Sequence, residues 1–140
     1  MQELKDFILE LLGNLSNPEE KVSGQSNLDK AYQTEYVRGQ REICNQSLLL
    51  IENEYKGDSK NLPVMFVSYR DKATKLRQRL AEIEQTEDVT IYGKAGNLNG
   101  QIDCLNEIRT AIQRIESGLS AKTEGSKLIA KRTAELAKQK

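Results

Sequence analysis

Apolar residues return every three or four positions through three long stretches of this chain, a spacing that suits helices and not strands. Between residues 63 and 86, Phe66, Tyr69, Ala73, Leu76, Leu80 and Ile83 step by 3, 4, 3, 4 and 3. That is a heptad seam, the pattern by which helix packs on helix. The seam is short, so it predicts a hairpin within one chain rather than a long independent coiled coil. Pro63 fits the first turn, with Asn61 or Leu62 just outside it.

The stretch from Asn27 to about residue 56 carries two neighbouring stripes. One holds Leu28, Tyr32, Tyr36, Gly39, Ile43 and Leu50, and the other Val37, Cys44, Leu48, Ile51 and Tyr55. So broad an apolar face suits a helix with two neighbours. Asn27 is a good N-cap, and Gly57 a C-cap glycine. The third stretch, about 90–117, has its seam at Leu98, Leu105, Ile108, Ile112, Ile115 and Leu119, with Ile102 beside it. Gly93, Gly96 and Gly100 interrupt its start, and each interior glycine costs a helix about 1 kcal/mol relative to alanine. Three readings stand there: a loop, a short strand at Val89–Tyr92, or a groove where another helix comes close. Gly118 ends the stretch.

Shorter segments flank these three. Leu4, Phe7, Ile8, Leu11, Leu12 and Leu15 make an amphipathic helix over 2–15 that is too short to stand alone. It is expected to dock on the bundle or on a neighbouring subunit, and its stripe of Leu4, Phe7, Ile8, Leu11 and Leu12 is a candidate partner-binding surface. Residues 127–138 have only a thin apolar edge. The expected fold is all-α: an up-down-up bundle of three long helices with short N- and C-terminal helices. The divisions are a docking helix (1–16), a linker (17–26), the bundle (27–118) and a basic tail (119–140).

At 140 residues, with 37% hydrophobic and 30% charged residues, the chain is one globular domain, too apolar for disorder and too polar for a membrane protein. Its apolar runs, such as Leu48–Ile51 and Val64–Val67, are far below the roughly 18 residues of a membrane span, so no membrane partner is expected. The first residues lack a basic stretch followed by an apolar core, as a secretory leader would have. The expected place is the cytoplasm, where thiols stay reduced, with Cys44 and Cys104 as buried free thiols.

The chain has no histidine, which removes every mechanism that needs imidazole. There is no phosphate-binding loop and no calcium-binding loop, and Gly93, Gly96 and Gly100 are not spaced as a dinucleotide fingerprint. Glu52/Glu54, Glu82/Glu84 and Glu87/Asp88 fall on polar faces or in loops. No catalytic residue, metal ligand or cofactor is expected, and the chain is read as non-enzymatic.

The net charge is zero but uneven. Residues 1–20 sum to −4 and residues 121–140 to +4. Arg70, Lys72, Lys75, Arg77 and Arg79, against Asp71, concentrate +4 on the middle helix. With Lys127, Lys131 and Arg132 they form the candidate basic partner-binding set, for an acidic protein surface. Specific nucleic-acid binding would call for interleaved aromatics, and aromatics are 5% of the chain; non-specific DNA contact by the tail stays open.

Gly39-Gln40 before Cys44 is echoed by Gly100-Gln101 before Cys104. In an up-down-up bundle the helices carrying them run parallel. Gly39 and Gly100 are then the expected points of closest approach, since a missing Cβ lets backbones meet.

The segment Tyr36-Val37-Arg38-Gly39-Gln40-Arg41-Glu42-Ile43, followed by Cys44 and Leu48–Leu50, resembles a helix found in small helical proteins of tailed-bacteriophage virion gene blocks. The resemblance covers about a dozen of the 140 residues. It implies a structural or assembly protein in multiple copies: a connector, a minor head protein or an internal head protein, made in the cytoplasm and incorporated in a virion. Its partners would be other protein subunits, as a homo-oligomer or bound in an assembly. The alternative is a small cytosolic helical adaptor or nucleic-acid-associated protein.

Overall fold

The computed structural model describes residues 1–15, 27–83 and 89–121. Four α-helices account for most of them: α1 (Gln2–Gly13), α2 (Asn27–Leu49), α3 (Leu62–Glu82) and α4 (Val89–Glu116). The long helices α2, α3 and α4 pack against one another as an all-α bundle.

Cross-helix contacts fix the directions. Tyr32 meets Asn99, Tyr36 meets Asp103 and Cys44 meets Cys104, so α2 and α4 run parallel. Gln46 meets Lys72 while Ser47 meets Tyr69, so α3 runs back against α2. Near its start α1 pairs Lys5 with Glu52 at 2.9 Å; beyond its end, Leu15 lies beside Tyr36 and Gln40. Hence α1 is antiparallel to α2, and it touches α4 as well. It is the short N-terminal helix expected beside the bundle, docked on the chain's own core.

One core joins all four. It buries Leu4 and Ile8 of α1, Ile43 and Cys44 of α2, Met65, Tyr69, Ala73 and Leu76 of α3, and Ile102, Cys104, Leu105, Ile108, Ala111 and Ile112 of α4. Burial of this many large side chains, at roughly 1.5–3 kcal/mol each, is the main force holding α1 in place, since its 12 residues would not stay helical alone.

Several expectations shift in detail. The helix expected to run to Tyr55 loses its regular pitch at Leu50–Glu54, where one wider π turn keeps Ile51 buried. Lys56 and Gly57 then both take left-handed backbone, at φ 50° and 69°. The third helix stops at Glu82, and Ile83 is extended. In its first turns Met65 takes the buried place expected of Phe66; Phe66 is half-buried, with the Arg109 guanidinium 5.1 Å above its ring. The start of the last stretch is helical from Val89, which removes its loop and strand readings. Leu119, expected in the seam, is 52% exposed, because Gly118 turns the chain at φ 76° and the Leu119 N–H closes on the Arg114 carbonyl at 2.8 Å. Residues 17–26, and the tail helix expected at 127–138, lie outside the described residues.

Candidate functional site

Where α2 crosses α4, the contact is backbone on backbone. A Cβ built on Gly100 would overlap the Tyr36 carbonyl, one on Gly96 the Tyr32 carbonyl, and one on Gly39 the Asn97 carbonyl. Gly39 would also meet the Gln101 nitrogen at 3.0 Å. Gly39 and Gly100 thus sit in the crossing where α2 and α4 come together, and Gly96 extends it by one turn. Gly93 differs: its nearest neighbour would be the Glu35 side chain at 3.4 Å, an ordinary contact.

Polar groups edge this crossing. Tyr36 donates its hydroxyl to Asp103, and Asn99 donates to the Tyr32 hydroxyl at 2.8 Å. Burial and then the Asp103 hydrogen bond push the Tyr36 phenol above its usual range; burial does the same for Tyr32. Deeper in, Ser47 donates to the Ile43 carbonyl at 2.6 Å and meets the Tyr69 hydroxyl. Burial drives the Tyr69 phenol up to about 12. The thiols of Cys44 and Cys104 lie in the same layer, 3.5 Å apart and fully buried.

Beside the crossing, a groove of about 710 Å³ lies between the first half of α2, the end of α3 and the start of α4. Ala31, Gly93, Leu98 and Ile83 supply apolar walls. Lys30, Arg38, Arg79 and Lys94 bring four cations to it, against one carboxylate among the described residues, Glu35, which pairs with Arg38 at 3.3 Å. The other Glu35 oxygen is enclosed without a hydrogen-bond donor. The surplus of positive charge beside apolar surface suits an acidic, amphipathic ligand.

The candidate partner residues are scattered by comparison. Leu4 and Ile8 are fully buried and Phe7, Leu11 and Leu12 pack half-buried on the same core. Of the two dockings expected for this stripe, on the bundle or on a neighbouring subunit, the structure shows the first: these side chains face the chain's own bundle. Of the α3 cations, Arg79 alone reaches the groove. Arg70 turns to Asp71 at 3.5 Å, Lys72 donates to Gln46 at 3.0 Å, and Lys75 and Arg77 are exposed. Lys127, Lys131 and Arg132 lie outside the described residues.

Sequence reasoning missed Lys30, Arg38 and Lys94, because charge was counted along each helix and not across the pair. A partial signal was there: with Gly39 and Gly100 at one height, Arg38 and Lys94 fall toward the same end of the pair, and Lys30, nine residues before Gly39, lies further out. Among the described residues no group of His, Cys, Asp and Glu could hold a metal ion, and no helix is long and apolar enough to cross a membrane. No family model matches the chain, nor does any curated protein or solved structure.

Proposed function

We propose that this chain is a non-enzymatic assembly or adaptor module that docks an acidic segment of a partner protein in the groove between α2, α3 and α4. The observation that carries this is the convergence of Lys30, Arg38, Arg79 and Lys94, from three helices, around apolar walls, with Glu35 the one carboxylate among the described lining residues. An acidic amphipathic segment would place carboxylates on the cations and its apolar edge on Ile83 and Leu98. The narrower form, a component of a tailed-phage virion acting in multiple copies, rests on the resemblance of Tyr36–Ile43; Gly39 within that segment also has a packing role at the crossing.

The test is binding of a fluorescent glutamate- and leucine-rich peptide, followed by anisotropy across a salt series, with light scattering for mass. Saturable binding is expected. It should be lost in Lys30→Glu/Lys94→Glu, whose helical circular dichroism should match the parent. A multimeric mass supports the multiple-copy form, and a strict monomer removes it. No peptide binding, with retention of duplex DNA that falls steeply with salt, would transfer the function to the nucleic-acid reading.

A further inference from the structure

The two cysteines of the chain meet across the parallel pair. Cys44 and Cys104 come from segments 60 residues apart, yet their sulfurs are 3.5 Å from one another in a layer that admits no solvent. This contact follows from the glycines. Gly39 and Gly100 precede the cysteines by little more than one helical turn, and they let the α2 and α4 backbones touch. Side chains in the next layer are therefore aimed at each other at short range. Packing alone does not require sulfur here, since alanine fills the equally buried positions Ala73 and Ala111.

We propose that Cys44 and Cys104 are a modification site: oxidised by a peroxide or a small disulfide, they form an interhelix disulfide that fastens α2 to α4 beside their crossing. The sulfurs must close from 3.5 Å to about 2.05 Å, a change that rotation of two short side chains can supply. With hydrogen peroxide the chemistry balances in two steps. One thiol gives up its proton and attacks a peroxide oxygen; the O–O bond breaks, leaving a sulfenic acid and one water. The second thiol then attacks that sulfur, its proton leaves with the departing hydroxyl as a second water, and the S–S bond forms. Two thiols are oxidised and one peroxide is reduced.

Burial makes the site slow. Neither sulfur is exposed, and contact with Cys44, then burial, holds the Cys104 thiol protonated far above its usual range. Reaction therefore waits on local opening of the pair. Once formed, the bond closes a loop that contains all of α3, which restricts the unfolded chain and stabilises the folded one.

The full-length chain is incubated with hydrogen peroxide, and in parallel refolded from urea with oxidised glutathione so that opening cannot limit the reaction. Both samples are then denatured and alkylated. The expected product is a monomer about 2 Da lighter, with no alkylatable thiol, which dithiothreitol restores. Its melting temperature should rise by on the order of 10 °C. Cys44→Ser and Cys104→Ser should show neither the mass loss nor the rise. Two free thiols after refolding in the oxidant would overturn the proposal. So would crosslinked dimers, stable mixed disulfides with glutathione in the parent, or oxygen addition without S–S formation.

Discussion

Helix α4 has two kinds of neighbour. Against α2 it presents Gly96 and Gly100, and the helices touch through main-chain carbonyls. Against α3 it meets whole side chains, with Arg109 lying over Phe66, and Met65, Tyr69, Ala73 and Leu76 filling the shared core. The first contact is limited by backbone and has no room to add. The second is filled by volume and has nothing to spare. One interface should therefore fail by addition and the other by subtraction, although the same helix serves both.

Subtraction should give the larger effect. Met65 is fully buried, so Met65→Ala leaves a cavity that its neighbours close only in part, and about 2–5 kcal/mol of stability should go. Met65→Leu keeps the volume and should cost less than about 1.5 kcal/mol. Urea melts of both variants check this. If Met65→Ala costs no more than the leucine variant, the α3 contact is not filled by volume.

Addition at the other contact comes next. Gly100→Ala adds one methyl group, yet that carbon would overlap the Tyr36 carbonyl, which belongs to a helix backbone and cannot swing away. The helices must separate, at a cost of roughly 1–3 kcal/mol that outweighs the gain of about 1 kcal/mol in helix propensity at its upper range. Gly39→Leu should lose more than Gly100→Ala, since its Cβ meets Asn97 and the rest of the side chain has no space. Urea melts decide by sign: variants more stable than the parent would remove the backbone contact.

How much of this was legible in the sequence follows from the same contrast. Seams of large residues repeat along one helix, so the three long helices and most of their core could be read from spacing. Gly39 and Gly100 could be matched because the Gly-Gln echo gave a common height. Gly96 was visible either as a helix breaker or as a point of close approach, and the choice depends on Tyr32, which is 64 residues away. Met65 and Phe66 stand four and three residues before the buried Tyr69, so both fit helical spacing, and periodicity does not choose between them. The groove eluded reading altogether. Its cations come from three helices, Lys30 and Arg38 from α2, Arg79 from α3 and Lys94 from α4, and of these Arg79 alone belongs to a run that looks basic in sequence.

Gly93 provides a control on the same helix. It lies one turn before Gly96, but a Cβ there would meet only side-chain carbon of Glu35 at 3.4 Å and otherwise ordinary contacts. Gly93→Ala should therefore raise stability by up to about 1 kcal/mol through helix propensity, the opposite sign to Gly96→Ala. A thermal melt of the two variants side by side is sufficient. Loss of stability in both would mean the tight contact runs a full turn further toward the groove.

The smallest expected effect is electrostatic, and it belongs to the α2 side. Asp103 and Glu107 stand one helical turn apart near Tyr36. Burial, and then the Asp103 charge, raise the Glu107 carboxyl above its ordinary 4.5. The folded protein thus holds this proton through a window just above pH 4.5 in which the unfolded chain has already released it. Stability from this group falls as pH rises through the window, and the penalty stays in place at neutral pH. Glu107→Gln removes the charge without changing the shape. At pH 7 the variant should be slightly more stable than the parent, by an amount that solvent around this outer side chain keeps small. The difference should close as pH drops through the window, where the parent's own carboxyl becomes neutral. Urea midpoints at pH 7 and pH 4 measure both ends. A glutamine variant less stable than the parent at pH 7 would show that the Glu107 carboxylate helps hold the α2–α4 edge together rather than straining it.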